Sequence, residues 1–329
     1  MKKITQKKII VVLVMALIAT MVMSGCGQKT DSEEKNEDSL SENIVITETG
    51  EILEKEEPTT VDPELLVEPE QEQIINEANP TGPQGKNLQL VFLGDSILDS
   101  NRDETGIPYR TAIQCEADFY NLAIGGTCAA VARDEQIGWE DWTSTSLVGV
   151  ANAIARNIPS DIFAGKAAKE ILDNPNVDFS KTDYFIVEYG MNDFFSAIPL
   201  SGESNEGDLK SYAGALRYSV ITLKSVAPDA TIILCAPNYA RFFDGDWMIG
   251  DGNSINNGYG TLYDYAGICE YIAGEQQVLF FDAYLDIGID GYTAEEYLED
   301  GVHLTDKGRQ IYADALAKMI LEHEETKNN

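Results

Sequence analysis

Five short apolar runs constrain the fold more than any other feature of this chain. Each has four to six residues with little polar alternation, and each ends in a turn or loop signal. Continuous apolar strands of this length are buried on both faces, as in a parallel sheet. We therefore predict strands at residues 88–93, 119–124, 184–187, 231–234 and 278–281.

Helical patterns separate these runs. Apolar residues recur at spacings of three and four between residues 209 and 223, and again between residues 311 and 320. Such a stripe is typical of a helix that packs on a sheet. The alternation of strands and helices predicts an α/β fold, a doubly wound parallel sheet of about five strands with its site at their carboxyl ends.

The first 26 residues have the pattern of an export signal. Four lysines lie within the first eight residues, and the apolar run 9–23 follows, interrupted only by Thr20. This run is shorter than the ~20 residues that span a bilayer and suits a signal peptide. Its end, Met-Ser-Gly-Cys at 23–26, resembles the lipobox of bacterial lipoproteins. The resemblance implies lipidation of Cys26 and anchoring to the outer face of the cytoplasmic membrane. An ordinary secretory signal or a membrane anchor is the alternative.

Residues 27–86 differ from the rest of the chain in composition. They hold 17 acidic residues, 4 basic residues and five prolines, with few aromatic residues. Such a segment buries too little apolar surface to fold, so we predict a disordered acidic tether. One folded domain, residues 87–329, remains.

The charge of the chain excludes several classes of partner. The whole chain has 56 acidic and 23 basic residues, for a net charge of −33, and residues 87–329 hold 39 and 15 of them. An acidic domain repels phosphate backbones and anionic head groups, so we expect no nucleic acid partner and membrane contact through the N-terminal lipid only. Only two histidines are present, His303 and His323, which excludes zinc sites built on several imidazoles. We expect a monomer.

Four segments at predicted strand ends or helix starts carry the candidate chemistry. Gly-Asp-Ser at 94–96 follows the first strand, and the second runs into Gly-Gly at 125–126. Gly-Met-Asn-Asp at 190–193 follows the third, and Asp-Gly-Val-His at 300–303 precedes the last helix. In this order they resemble the SGNH (GDSL) hydrolases over about residues 88–325. The resemblance implies ester cleavage and a flavodoxin-like three-layer α/β/α sandwich.

The resemblance also implies a role for each of five residues. Ser96 matches the nucleophile, His303 the base that takes its proton, and Asp300 the acid that orients the imidazole. Acyl transfer needs this arrangement because a serine hydroxyl is a poor nucleophile without a base within hydrogen-bond reach. The oxyanion hole maps to the Ser96 N–H, the Gly126 N–H and the Asn192 side chain. Loss of one such donor typically lowers the rate ~10²–10³-fold.

Each of these residues also has a structural alternative. Gly126 could serve only a tight turn, Asn192 could cap a helix, and the acid and base could be ordinary surface residues. Four such coincidences at four successive segments are required together, which favours the functional interpretation. Within the same segments we expect Asp95, Gly190 and Asp193 to support the site.

Aromatic residues in two loops are candidates for substrate contact. Trp139 and Trp142 lie in an acidic segment after the second strand, and Trp247 and Tyr259 lie in a glycine-rich segment after the fourth. Loops over the strand ends commonly shape a pocket, and aromatic rings can stack on a sugar. Packing in the core or in a lid explains the same residues equally well.

Acidic residues in the second of these loops suggest a calcium site. Asp244, Asp246 and Asp251 are close in sequence, but an EF-hand spacing places Met248 at a ligand position and no terminal Glu follows. We therefore expect no metal and no cofactor.

Four cysteines remain after the lipobox cysteine. Cys115, Cys128, Cys235 and Cys269 can form disulfides in three ways, or they can remain thiols. The sequence leaves this question open.

The leading hypothesis is an extracellular, membrane-tethered serine esterase. It would hydrolyse small acyl esters, acetyl above all, on carbohydrate, through a Ser-His-Asp triad and an acyl-enzyme. An acyltransferase and a lysophospholipase use the same chemistry, although no amphipathic lipid-binding stripe stands out in the sequence. A non-catalytic surface lipoprotein that binds glycan is the alternative from another class.

Overall fold

The structure, a computed structural model, describes residues 88–131, 144–202 and 205–327. Seven strands lie within these ranges: β1 (Gln89–Gly94), β2 (Asp118–Asn121), β3 (Tyr184–Glu188), β4 (Thr231–Cys235), β5 (Arg241–Asp244), β6 (Trp247–Asp251) and β7 (Leu279–Phe281). Five of them form one parallel sheet in the order β2-β1-β3-β4-β7. This is the strand order of flavodoxin-like folds.

Helices cover the sheet. Those of the described residues are α1 (Ser96–Asp99), α2 (Ile107–Gln114), α3 (Leu147–Ile154), α4 (Ala167–Asp173), α5 (Met191–Phe195), α6 (Tyr212–Val226), α7 (Leu262–Gln276), α8 (Ala294–Tyr297) and α9 (Asp306–Lys327). Helix α2 packs against α9, whereas α3 packs against α6, and α6 against α7. The sheet between helices is the three-layer α/β/α sandwich that the sequence predicts.

Burial explains the continuous apolar runs. All five residues of β3 are buried, as is every residue of β1 after Gln89. The outer strands β2 and β7 are mostly half-buried, as expected at the edges of a sheet. The prediction of five parallel strands is therefore confirmed.

Side chains explain two of the differences between the predicted and the observed element boundaries. Strand β2 ends at Asn121, where the side chain accepts a hydrogen bond from the Ala123 N–H at 3.0 Å. Helix α6 begins after Ser211, whose hydroxyl accepts a hydrogen bond from the Gly214 N–H at 3.3 Å. Leu209, the first residue of the predicted helical stripe, therefore lies in the preceding loop.

The segment between β4 and α7, which the sequence suggested was a loop, contains a β-hairpin. Strands β5 and β6 pair antiparallel, with Asp244 opposite Trp247 and an irregularity between Phe242 and Phe243. Phe242 is buried, and its ring stacks on that of Phe194 in α5 at a centroid distance of 5.3 Å. The hairpin is therefore packed onto the domain by one face.

The strand register brings the carboxyl ends of the central strands together. Gly94 pairs with Glu188, and Glu188 pairs with Cys235, so the last residues of β1, β3 and β4 lie side by side. The chain order reverses between β1 and β3, because β2 lies on the other side of β1. Ligands of doubly wound sheets bind at such a switch point.

Several predictions lie outside the described residues. These are the export signal with Cys26, the tether at 27–86, and the candidate substrate residues Trp139 and Trp142. In the part of the chain that the structure describes, no helix combines the length and apolar character that a membrane span requires.

Candidate active site

Ser96 lies at the carboxyl edge of the sheet, directly after β1. Asp95 is the N-cap of α1 and accepts a hydrogen bond from the Ile97 N–H at 3.0 Å. A carboxylate in this position satisfies a helix N–H that has no partner within the helix. Ser96 is consequently the first residue of the helix, half-buried at the end of the strand.

Ser96, His303 and Asp300 form one chain of hydrogen bonds. His303 Nε2 lies 2.9 Å from Ser96 Oγ, and His303 Nδ1 lies 2.7 Å from Asp300 Oδ2. The other carboxylate oxygen, Asp300 Oδ1, accepts the backbone N–H groups of Val302 at 2.9 Å and His303 at 2.8 Å. With Nδ1 donating to the carboxylate, Nε2 is left as an acceptor for the serine proton.

The contact between the acid and the imidazole shifts both pKa values. The hydrogen bond to Asp300 raises the pKa of His303, although partial burial opposes this shift. Partial burial would raise the pKa of Asp300, but hydrogen bonds from the His303 side chain and backbone hold it well below its usual range. Asp300 is therefore ionised at neutral pH and stabilises the imidazolium that forms when His303 takes a proton.

The hairpin and the β4 exit hold the Asp-Gly-Val-His segment in place. The Arg241 N–H of β5 donates to the Gly301 carbonyl at 2.7 Å, and Asn238 Nδ2 donates to the Val302 carbonyl at 3.2 Å. Gly301 has a φ of +91°, and a Cβ there would lie 2.4 Å from the Arg241 carbonyl oxygen and 2.8 Å from the Phe243 ring. Only glycine fits this contact, so β5 packs directly on the segment that carries the acid and the base.

Asn192 is positioned by the neighbouring strand end. Its Nδ2 donates to Asp95 Oδ2 at 3.0 Å, and the same amide carries a second N–H. Helix α5 begins after Gly190, which has a φ of +131° and no room for a Cβ, since this atom would lie 2.9 Å from the Tyr212 hydroxyl and 3.1 Å from Pro237. The structure thus places Asp95 and Gly190 in direct support of Asn192.

The two-glycine turn after β2 lies beside the serine. A Cβ on Gly125 would be 3.7 Å from Ser96 Cβ, and Gly126 has a φ of +78°. Just beyond this turn, the buried carboxylate of Asp193 accepts two backbone N–H groups, at 2.8 Å from residue 129 and 3.0 Å from residue 130. Asp193 therefore anchors the chain that leaves the turn.

Asp99 and Arg102 also hold this turn, and the sequence did not identify them. Asp99 Oδ2 accepts the Gly125 N–H at 2.7 Å, while Asp99 Oδ1 lies 2.7 Å from Arg102 Nε. Arg102 also donates to the carbonyls of Asn121 at 2.9 Å and Ala123 at 2.6 Å. The only sequence signal is the three-residue spacing of the pair, because their other partners are backbone groups some twenty residues away.

Three carboxyl groups are buried beneath the site. Burial raises the pKa of Asp95 to about 6 and that of Asp193 to about 7. Burial also raises the pKa of Glu188 well above its usual range, and the charge of Asp95 adds to this shift. Burial therefore favours the neutral form of Glu188, while Asp95 Oδ2 accepts the hydrogen bond from the Asn192 amide. The signal for Glu188 was an acidic residue at the end of an otherwise apolar strand.

A cavity of about 200 Å³ opens beside the serine and the imidazole. Ser96 and His303 form part of its wall, together with the polar residues Ser100, Asn101 and Glu299. We call this cavity the polar pocket. Pockets for drug-sized molecules hold roughly 300–1,000 Å³, so the polar pocket has room for a small group only.

The two described aromatic candidates are on the surface. Trp247 at the start of β6 is 81% exposed, and Tyr259 is 44% exposed. The segment before Tyr259 is tied to the site, because Asn257 Nδ2 donates to the Phe194 carbonyl of α5 at 2.8 Å. Packing in the core therefore does not explain either ring.

The second histidine lies at the opposite edge of the sheet. His323 Nδ1 is 2.7 Å from the hydroxyl of Tyr184, the first residue of β3. Since the site lies at the carboxyl end of β3, His303 is the histidine that can act there.

The remaining titratable candidates form no further centre. Cys115, Cys235 and Cys269 are buried, and no disulfide joins cysteines in the described ranges. Asp251, one of the three acids of the suggested calcium loop, accepts the Tyr239 hydroxyl at 2.8 Å. In the same ranges no group of three or more His, Cys, Asp or Glu residues could hold a metal ion.

Comparison with solved structures supports the fold. One crystal structure is 19% identical, with a TM-score of 0.54 over 70% of this chain and 95% of its own. A protein from Lactobacillus plantarum is 18% identical, with a TM-score of 0.50 over 72% of this chain and 98% of its own. No curated protein matches the chain.

A family model gives the more specific result. Residues 92–311, more than half of the 329, match the GDSL-like lipase/acylhydrolase family. This range contains the Ser96 turn, the Asn192 helix and the Asp300–His303 segment. The chain belongs to the GDSL-like lipase/acylhydrolase family and is an ester-bond hydrolase.

Proposed function

We propose that this chain is a membrane-tethered extracellular serine esterase that removes small acyl groups, above all acetyl, from carbohydrate. The observation that carries the proposal is the pair of hydrogen bonds that link Asp300, His303 and Ser96, at 2.7 and 2.9 Å. Nucleophile, base and orienting acid within this reach are what acyl transfer to serine requires.

The reaction follows from this geometry. Ser96 Oγ attacks the ester carbonyl carbon while His303 Nε2 takes its proton. The carbonyl oxygen becomes an oxyanion, which the N–H groups of Ser96 and Gly126 and the free amide N–H of Asn192 stabilise. Collapse expels the alcohol, which receives the proton from His303, and leaves an acyl-enzyme. Water, deprotonated by His303, then releases the acid and restores Ser96.

The preference for a small ester rests on the space beside the serine. The polar pocket holds about 200 Å³, and its wall combines polar side chains, among them Ser100, Asn101 and Glu299, with the apolar side chains of Ile97 and Leu304. A pocket of this size accommodates the alcohol of a small ester but not a lipid chain. A small ester fits this space better than a lipid does.

Carbohydrate is supported by the surface around the site. Trp247 is 81% exposed on the hairpin, whose neighbouring strand contacts the Asp-Gly-Val-His segment. A large exposed ring on a hairpin that contacts this segment offers a flat apolar face to a sugar. The excess of acidic residues also favours a neutral glycan over a polyanion, although charges beyond ~8 Å are screened. Tyr259, Trp139 and Trp142 are further candidates for contact with the glycan.

The location is proposed from the sequence alone. The order of basic, apolar and small residues before Cys26 supports export and lipidation, and the acidic segment 27–86 supports a tether. In a bacterial host, labelled palmitate should enter the wild-type chain and not the Cys26→Ala variant. Equal labelling of both chains would remove the lipid anchor from the proposal.

The catalytic proposal is tested by covalent labelling. A fluorophosphonate should label the wild type and a Ser225→Ala control, in which an exposed serine of α6 is lost, but not Ser96→Ala. Hydrolysis of p-nitrophenyl acetate should be lost in the same variant only, with an unchanged circular dichroism spectrum. A folded wild type that stays unlabelled, or an active Ser96→Ala, would contradict the serine mechanism.

The substrate is tested by acetate release. Acetylated xylan, mannan, peptidoglycan and teichoic acid should be compared at equal acetyl content, with Ser96→Ala as the blank. We expect the neutral polysaccharides to be hydrolysed fastest. If a lysophospholipid were hydrolysed faster than any acetylated glycan, the proposed substrate would be a lipid and not a carbohydrate.

A further inference from the structure

The polar pocket contains hydrogen-bonding groups that the protein itself does not use. Within the described ranges, the Ser100 hydroxyl and the Asn101 side-chain amide make no hydrogen bond. The Glu299 carboxylate has one weak contact, at 3.5 Å, with Arg309 Nη1. Donors and acceptors that face a cavity without protein partners are available to a ligand.

Arg309 gives this pocket a fixed wall. Arg309 is 8% exposed, with Nε donating to the Thr105 carbonyl at 3.0 Å and Nη1 to the Leu304 carbonyl at 2.7 Å. These bonds join the segment after α1 to the segment after His303. Ser100, Asn101 and Glu299 are therefore presented from two segments that are tied together, as a preformed site requires.

The positions of the oxyanion and the leaving oxygen indicate which part of the ester lies in the polar pocket. In the tetrahedral intermediate the oxyanion faces Gly126 and Asn192, while the leaving oxygen must lie within reach of His303 Nε2 to receive its proton. The wall of the polar pocket includes Ser96 and His303 but neither Gly126 nor Asn192. It therefore adjoins the side of the site from which the alcohol departs.

We propose that the polar pocket binds the leaving alcohol of the ester as a polyhydroxylated ring, with Ser100, Asn101 and Glu299 as the residues that recognise its hydroxyl groups. This inference rests on the proposed esterase activity and adds the specificity site. During acylation the bond between the carbonyl carbon and Ser96 Oγ forms, and the bond to the alcohol oxygen breaks. The serine proton passes through His303 to that oxygen, and the free alcohol then leaves the pocket for water to enter.

The test compares esters that share an acyl group and differ in the alcohol. Acetate release from a mono-acetylated methyl glycoside and from ethyl acetate gives a ratio of kcat/KM values. Asn101→Ala and Ser100→Ala should each lower this ratio about fivefold, mainly through a higher KM for the glycoside, since each removes about one hydrogen bond. The double variant should lower it further.

A matched control separates the pocket from general effects. Asn176→Ala removes an exposed asparagine from the loop before β3, at the opposite edge of the sheet, and should leave the ratio as in the wild type. An unchanged ratio in both pocket variants, with an active wild type, would overturn the assignment of the alcohol. The assignment would also be overturned if the pocket variants changed the preference for ethyl acetate over ethyl butyrate and left the ratio for the two alcohols unchanged, because the pocket would then bind the acyl group. A wild type that hydrolyses no ester would instead overturn the proposed function, and this inference with it.

Discussion

Replacing Asp300 by asparagine changes one hydrogen bond of the proposed triad and little else. The amide oxygen can still accept the backbone N–H groups of Val302 and His303, which Asp300 Oδ1 accepts at 2.9 and 2.8 Å. The amide nitrogen then faces His303 Nδ1, where Asp300 Oδ2 lies at 2.7 Å. Because this nitrogen donates, it favours the tautomer with the proton on Nε2. That tautomer cannot accept the proton of Ser96.

We expect kcat to fall about 10⁴-fold, or about 5 kcal/mol in activation free energy, with little change in KM. The pH profile should change as well. The hydrogen bond to Asp300 raises the pKa of His303, so wild-type activity appears as pH rises through a pKa above the ordinary value of histidine. Without the carboxylate that pKa falls, and the acid limb of the residual activity should move to lower pH.

Asp290→Asn is the matched control for this variant. Asp290 Oδ1 accepts the N–H groups of Tyr292 at 2.7 Å and Thr293 at 3.0 Å, at the same sequence spacing as Asp300 but with no histidine beside it. Both variants should melt at similar temperatures, and Asp290→Asn should keep wild-type activity. The measurement is the hydrolysis of p-nitrophenyl acetate across about pH 5 to 9. Residual activity of Asp300→Asn within tenfold of the wild type, or an equal loss in Asp290→Asn, would refute the reasoning.

Three further variants test the surroundings of the triad. Asn192→Ala should lower kcat by about 10²–10³-fold, because one oxyanion donor is lost; an effect confined to KM would contradict that role. Gly301→Ala should lower the free energy of unfolding by about 2 kcal/mol, since its Cβ would lie 2.4 Å from the Arg241 carbonyl oxygen at a φ of +91°. An unchanged melting temperature would mean that the hairpin yields without cost. Arg102→Met should lower kcat about tenfold by loosening the glycine turn. The control Arg156→Met loses a hydrogen bond to a carbonyl away from the site and should keep the wild-type kcat. Equal kcat values in the two variants would show that Arg102 does not support the turn.

The parallel sheet could be predicted because its strands are buried on both faces. Because β3 is buried on both faces, its residues 184–187 are continuously apolar. The polar residue that follows this run, Glu188, marks the end of the strand. The pairing register of these strands need not be known from the sequence, because neighbouring parallel strands place their last residues side by side, as β1, β3 and β4 do. For this reason the segments that follow β1 and β3 meet at one edge of the sheet.

The residues that orient these segments were harder to predict. Arg102 acts on the carbonyls of Asn121 and Ala123, and Asp193 acts on two backbone N–H groups after the glycine turn. Backbone groups are present at every position, so a side chain that binds them has no partner residue for a sequence pattern to reveal. Asp193 was identified only because it adjoins Asn192 in the same segment.

The β5–β6 hairpin could not be predicted because its sequence pattern is irregular. It contacts both the Asn192 helix and the Asp300–His303 segment. Its Phe242 ring stacks on Phe194 of the helix that carries Asn192, while its Arg241 N–H holds the carbonyl of Gly301 between the acid and the base. One short hairpin therefore contacts both the helix that carries Asn192 and the segment that carries Asp300 and His303. The register irregularity after Phe242 interrupts the alternation by which a strand is recognised in sequence. Phe242 is buried at this irregularity, whereas the next two residues of β5 are exposed, so the hairpin contacts both segments through Arg241 and Phe242 at its start.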